Sequence, residues 1–152
     1  MVEKNQKPQE KGEIMIFYSH SEEETKEFGR KLSQSVSREM ICLFGEMGCG
    51  KTEFVKGFLQ GLGYDGDVTS PTFALCYRYD AAKPVYHYDL YRLSGYDDLY
   101  SIGFFDREPG SVSLVEWSEN AEEYLPEDAL RIYFEYGDGI EDRILRMEEP
   151  NE

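Results

Sequence analysis

The sequence predicts an α/β fold: a three-layer domain on a mixed sheet, with a parallel centre and antiparallel additions. Three observations predict it. Met40, Ile41, Cys42, Leu43 and Phe44 form an unbroken apolar run of strand length, as a parallel strand buried on both faces requires. A glycine-rich turn and a helical pattern follow at once, with Phe54, Val55, Phe58, Leu59 and Leu62 at helical spacing. Elsewhere strand-like segments outnumber helical ones, so a long regular series of βαβ units is excluded.

In chain order, Ile14 to Tyr18 predicts a strand, and Ser21 followed by Glu24 makes a capping box for a helix through about Val36. Phe28, Leu32 and Val36 give that helix one apolar face. After the central strand and its helix, which Gly61 and Gly63 stop, Asp65 to Pro71 is rich in turn residues. Phe73 to Tyr79 and Val85 to Tyr91 alternate and are aromatic-rich, so Asp80 to Pro84 can close them into a hairpin. Asp97 to Gly103 reads as a short helix, Ser111 to Val115 as a compact strand, and Glu119 to Tyr124 as helical. Leu130 to Tyr136 and Arg143 to Met147 form a second hairpin through Gly137, Asp138 and Gly139. Residues 1–12 read as a lead without structure, 13–147 as a single domain and 148–152 as an acidic tail.

The turn after the central strand, Gly45 to Thr52, reads G-E-M-G-C-G-K-T and matches G-x-x-x-x-G-K-[ST] in full. The pattern is meaningful only between a strand and a helix, and both flanks comply. Its glycines let the backbone fold into a nest whose N–H groups point at phosphate oxygens, which brings Glu46, Met47, Gly48, Cys49 and Gly50 against the anion. Lys51 would reach the outer phosphates and Thr52 would offer its hydroxyl to Mg²⁺, while the helix turns its positive end the same way. The fold is thus expected to be P-loop NTPase-like, with ATP and Mg²⁺ as its cofactors.

Length and charge bound what such a site can do. A chain of 152 residues holds one adequate core and no separate catalytic module. No apolar stretch reaches membrane-spanning length, and Met1 to Lys11 lacks the apolar centre of a signal peptide, so a cytoplasmic location is expected. Cys42, Cys49 and Cys76 are odd in number without C-x-x-C spacing, which favours free thiols. A net charge of -15 argues against unaided binding of nucleic acid. It favours solubility first, and docking onto a basic partner second.

A phosphate loop that hydrolyses needs strand-end carboxylates, and the sequence offers two. Ser113-Leu114-Val115-Glu116 is an apolar strand closing on an acid, and Asp89 is an acid within a strand pattern. Carboxylates also end strands simply by meeting solvent, but beside a phosphate loop the functional reading is favoured: Lys51, Asp89 and Glu116 as catalytic groups, with Thr52, Asp89 and Glu116 toward the metal. Thr69 to Thr72 is either a plain loop turned by Pro71 or a switch segment whose Thr72 reaches the nucleotide. Trp117 is either a core aromatic or a cover for the nucleotide. His87 reads as structural, because two histidines far apart in sequence give no metal-ligand spacing. Arg92 reads as a partner for one of many acids.

Taken in order and spacing, these segments resemble the TsaE (YjeE) family of bacterial ATPases. The resemblance covers most of the chain. It rests on the Ser21 to Thr25 helix start, Gly45 to Thr52, Val68-Thr69-Ser70-Pro71-Thr72-Phe73, His87-Tyr88-Asp89-Leu90-Tyr91-Arg92-Leu93, Ile102-Gly103, and Val115-Glu116-Trp117-Ser118-Glu119 leading to Leu125-Pro126. It implies an ATPase supporting synthesis of N6-threonylcarbamoyladenosine at position 37 of tRNAs that read codons beginning with adenine. It also implies action with the TsaD and TsaB proteins, TsaD transferring the threonylcarbamoyl group, and contact with tRNA only through them. By the same resemblance Lys51 and Thr52 would hold phosphate and Mg²⁺, Ser70 to Thr72 would form a switch-like segment, and Asp89, Glu116 and Trp117 would serve hydrolysis. The chain departs from the family at Cys49, where a small Ala is usual and a thiol would invite oxidation beside the nucleotide. It departs again at Phe104-Phe105-Asp106, which replaces a more acidic stretch.

Two other readings share the loop. A small-molecule kinase would normally carry an arginine-bearing lid, and no such segment is evident in the sequence. A nucleotide-binding regulator that never hydrolyses would have no use for the acids at 89 and 116.

Overall fold

The computed structural model describes residues 2–4, 13–35, 37–69, 75–93 and 95–150. In chain order the strands are β1 (Val2–Lys4), β2 (Glu13–Ser19), β3 (Met40–Phe44), β4 (Cys76–Asp80), β5 (Pro84–Asp89), β6 (Val112–Glu116), β7 (Leu130–Tyr136) and β8 (Arg143–Glu148). The helices are α1 (Glu22–Ser35), α2 (Lys51–Gly61) and α3 (Gly95–Ser101), and a 3-10 helix spans Ser118–Tyr124. All eight strands join one sheet in the order β1-β2-β8-β7-β3-β6-β5-β4.

The centre of that sheet is parallel, β7 and β6 flanking β3 and β5 following β6, whereas β8, β2 and β1 on one side and β4 on the other are antiparallel additions. The mixed sheet is therefore the one expected. Two apolar layers cover it, as a parallel centre requires. Ile41, Leu43, Leu114 and Ile132 pack with Phe54, Phe58 and Leu59 of α2 and Leu32 of α1. Met40, Cys42, Phe44 and Val115 face the other way, toward Leu99 of α3, Phe104, Ala121 and Leu125. The continuous run in β3 thus feeds both layers by strict alternation.

The helix ends are set by the signals read from sequence. Ser21 Oγ accepts the Glu24 N–H at 3.1 Å, while Glu24 Oε1 accepts the N–H of His20 at 2.8 Å, one residue further out than in a standard capping box. At the end of α2, the Gly63 N–H bonds the Gln60 carbonyl at 3.0 Å and the Tyr64 N–H the Leu59 carbonyl at 3.0 Å, with Gly63 left-handed. This is a Schellman termination.

Several boundaries differ from the sequence reading. β5 stops at Asp89 rather than Tyr91, because Asp89 Oδ1 accepts the Tyr91 N–H at 3.0 Å and turns the chain. The Asp97 to Gly103 helix starts earlier, at Gly95, and the Glu119 to Tyr124 helix is 3-10 rather than α. Within the expected lead, Val2–Lys4 pairs with β2, whose outer edge otherwise presents unpaired backbone groups. β8 continues through Glu148, and Glu149 donates its N–H to Glu13 at 2.9 Å, so the pairing reaches into the expected tail. Val36, predicted to end the first helix, and Ser70 to Phe73 lie outside the described residues.

The position of α2 depends on how closely α1 approaches it. A Cβ on Gly29 of α1 would sit 2.3 Å from the Phe54 carbonyl oxygen, and one on Gly57 of α2 would sit 1.8 Å from that of Lys26. Both contacts are backbone, so neither can relax by rotating a side chain. Gly57→Ala is expected to push the helices apart and cost about 1–3 kcal/mol, as overpacking does. Urea unfolding checks this; an unchanged midpoint would mean that the helix pair is not close-packed.

Candidate functional site

The parallel register decides which residues meet. Leu43 of β3 is level with Glu116 of β6, and Glu116 is level with Asp89 of β5. The loop that leaves β3 therefore opens beside two carboxylates at neighbouring strand ends, where ligands bind in open α/β sheets. A cavity of about 470 Å³ lies there, of a size usual for small-molecule sites. Met47, Gly48, Gly50, Lys51, Thr52, Asp89, Glu116 and Trp117 line it, with Glu22, Glu53, Tyr91 and Arg92.

The loop owes its course to backbone conformations and to a distant hairpin. Gly45, Gly48 and Gly50 have φ of 145°, 83° and 103°, which side-chain-bearing residues rarely adopt. Tyr136 Oη donates to the Met47 carbonyl at 2.5 Å, and Arg143 donates to the Gly48 carbonyl at 3.2 Å. At the loop's start, the Gly45 N–H donates to Glu119 Oε2 at 2.8 Å. Where α2 begins, its first-turn amides are free of intrahelical partners, as at any helix start, and the helix dipole adds positive potential.

Lys51 is 4% exposed, although it carries the one ammonium of the loop. Its Nζ donates to the Gly45 carbonyl and stands 4.0 Å from the centroid of the Trp117 ring. Burial holds the ammonium below its ordinary pKa, while Glu116, Glu119 and Asp89 oppose the shift. Trp117 has φ 60°, a left-handed conformation uncommon for a residue of its size, and its ring lies 4.8 Å from that of Tyr91.

Both acids are buried, Asp89 at 7% and Glu116 at 4% exposure. Glu116 Oε2 lies 2.6 Å from His87 Nε2, and His87 itself is fully buried. Counted by formal charge, the lining sets Glu22, Glu53, Asp89 and Glu116 against Lys51 and Arg92. An anion alone would meet net repulsion there. An anion that brings a cation would not.

The structure thus brings together most of the residues singled out from sequence. Glu46 and Cys49 are not among the cavity's lining: Glu46 is exposed and its carbonyl accepts the Cys49 N–H at 3.2 Å, which turns the Cys49 side chain into the core. Thr72 lies outside the described residues. His87, read as structural, touches one of the two acids, and Arg92 joins the lining. Glu119 entered the sequence reading only as part of the Val115 to Glu119 segment, without a role in the loop, and Tyr136 only as the end of a strand.

Comparisons with known proteins show which family the chain resembles. A family model described as "Threonylcarbamoyl adenosine biosynthesis protein TsaE" matches residues 19–144. The tRNA threonylcarbamoyladenosine biosynthesis protein TsaE of Haemophilus influenzae is 38% identical over 119 residues, covering 73% of this chain and 75% of its own. The protein of the same name from Bacillus subtilis is 40% identical over 114 residues, covering 72% of this chain and 70% of its own. The crystal structure of Bacillus subtilis YdiB superposes with a TM-score of 0.74 at 31% identity, over 91% of this chain and 86% of that one.

The cysteines give a direct check on the packing around the loop. Burial pushes the Cys42 thiol up to about 12 and Cys76 to about 11, and raises Cys49 as well, against a smaller opposing effect from a hydrogen bond with the Glu46 backbone. Raised pKa values mean less thiolate at neutral pH, so Cys49 is not the oxidation-prone group its place in the loop suggested. A thiol-reactive disulfide reagent near neutral pH is expected to label the native protein slowly and the denatured protein fully, the native rate climbing as pH rises. Fast labelling of native Cys49 would show that the loop opens readily.

Proposed function

The chain belongs to the TsaE family, and from that premise we propose that it is the ATPase component of bacterial tRNA N6-threonylcarbamoyladenosine synthesis, acting in the cytoplasm with TsaD and TsaB. In this reading residues 13–147 form the ATPase domain, and tRNA is reached only through the partners. The observation that carries it is the convergence of the phosphate loop, Asp89 and Glu116 on one cavity.

The donor set fits Mg-ATP. The Gly48, Gly50, Lys51 and Thr52 segment supplies backbone amides and an ammonium for the phosphates. The Thr52 hydroxyl and the carboxylates of Asp89 and Glu116 are hard oxygen donors suited to Mg²⁺. Among the described residues, no group of three or more His, Cys, Asp or Glu side chains could hold a metal ion. A cation here would rely on Thr52 and on the nucleotide's own oxygens, as Mg²⁺ at phosphate sites commonly does. When bound, Mg²⁺ would neutralise charge on the phosphates and offset the acidic lining.

The chain's own residues divide the remaining work. Lys51 exchanges its contact with the Gly45 carbonyl for the outer phosphates. Asp89, fixed by its bond to the Tyr91 N–H, serves mainly the metal, directly or through water. Glu116 orients the attacking water and accepts its proton, or holds the metal's water. Trp117, which Lys51 faces in the structure, covers the nucleotide.

The acidic charge of -15 fits an ATPase that meets a basic partner surface and does not itself hold tRNA. ADP release measured with and without TsaD and TsaB tests the assignment. Slow turnover alone and faster turnover with the partners is expected; equal rates would remove the partner-dependent model. Single substitutions test the site. Lys51→Ala is expected to abolish useful ATP affinity while the protein stays folded, read by calorimetry. Asp89→Ala should weaken Mg²⁺-dependent binding and slow turnover. Glu116→Ala should spare binding and cut turnover by roughly a hundred- to ten-thousand-fold. Loss of Mg-ATP affinity in Glu116→Ala with its retention in Asp89→Ala would reverse the two roles.

A further inference from the structure

We infer that His87 is a positioning residue, which holds the Glu116 carboxylate in its working orientation. The inference rests on the reading that Glu116 serves hydrolysis, and it adds a residue that acts without touching nucleotide.

The geometry follows from the sheet. His87 and Asp89 are two residues apart on β5 and so share one face, and Glu116 lies on β6 level with Asp89. A long glutamate side chain at that position can extend into the cavity or fold back toward the strand interior. The 2.6 Å contact between Glu116 Oε2 and His87 Nε2 selects the second course. Because Glu116 still lines the cavity, one carboxylate oxygen is anchored below the floor while the side chain borders the space above it.

The other ring nitrogen sets the direction of the bond. Among the described residues, the buried His87 Nδ1 has no hydrogen-bond partner. A buried N–H without an acceptor is rarer and less tolerable than a lone pair without a donor, so the proton belongs on Nε2. His87 then donates to Glu116 Oε2, which fixes that oxygen and leaves the other carboxylate oxygen available. A fully buried imidazole has little freedom to rotate, and that rigidity passes to the carboxylate. Holding a reactive group in place is what a neighbouring side chain of this kind contributes to rate.

The test uses the full chain, with Mg-ATP hydrolysis measured alone and with TsaD and TsaB, and binding of a fluorescent ADP analogue measured on the same preparations. His87→Leu fills the space and removes the donor. It is expected to bind nucleotide within about threefold of the wild type and to lose roughly ten- to a hundredfold in kcat, less than the loss of a general acid–base group itself, because the carboxylate remains. His87→Gln can place an amide N–H near the old Nε2 and should recover most of that rate, whereas the shorter His87→Asn should not. Combined with Glu116→Gln, His87→Leu should add little further loss, since both act through one group. Wild-type kcat in His87→Leu beside a crippled Glu116→Gln would overturn the positioning role and leave the ATPase reading standing. Full activity in Glu116→Gln would overturn both. If His87→Leu does not fold, the Gln and Asn variants decide: equal rates overturn the inference, and a faster Gln variant supports it.

Discussion

Everything in the candidate site depends on the parallel register of β3, β6 and β5. Each strand brings one part of the candidate site to its carboxyl end, and the backbone ladder fixes their relative heights. Leu43, Glu116 and Asp89 are level across the three strands, so the loop after β3 departs at the height of both carboxylates. A slip of one residue in either pairing would turn an acid to the opposite face, because side chains alternate along a strand. The buried apolar residues on both faces of β3 oppose such a slip. The same packing that stabilises the sheet therefore aligns the chemistry.

Charge imposes the second constraint. The cavity concentrates acids in a protein already strongly acidic, and its lysine is buried against an aromatic ring and a backbone carbonyl. Such a lysine is already desolvated, so moving it onto a bound anion would cost less desolvation than for an exposed one. Desolvation lowers its pKa, and Glu116, Glu119 and Asp89 work against that shift.

The parts of this arrangement that were legible in the sequence are those encoded locally. The G-x-x-x-x-G-K-[ST] pattern, the apolar run before it and the helical spacing after it occupy adjacent residues, and each has a physical reason that acts over one or two turns. Glu116 was legible because an apolar strand that closes on an acid is also a local pattern. Tyr136 and Arg143 were not, since their bonds to Met47 and Gly48 exist only once β7 has taken its place beside β3. His87 was read as structural, and its full burial agrees with that; its contact with Glu116 was not foreseen, because metal-ligand spacing looks along one chain segment whereas the partner stands on the neighbouring strand. Cys49 was placed in the loop by its backbone N–H, and that N–H bonds the Glu46 carbonyl in a turn the motif alone does not reveal. The sheet order, with β2 beside β8, also has no local signature.

The left-handed backbone at Trp117 sets a trade between stability and purpose. A non-glycine residue in that conformation carries strain of about 1–3 kcal/mol, which the rest of the fold must outweigh. Glycine or asparagine would relieve it at the same position. A laboratory selection for heat resistance alone would therefore find residue 117 an easy place to improve, and would discard the indole that borders the cavity. Stabilised variants of this chain are best sought elsewhere, on the helix surfaces remote from the strand ends, where the backbone carries no such debt.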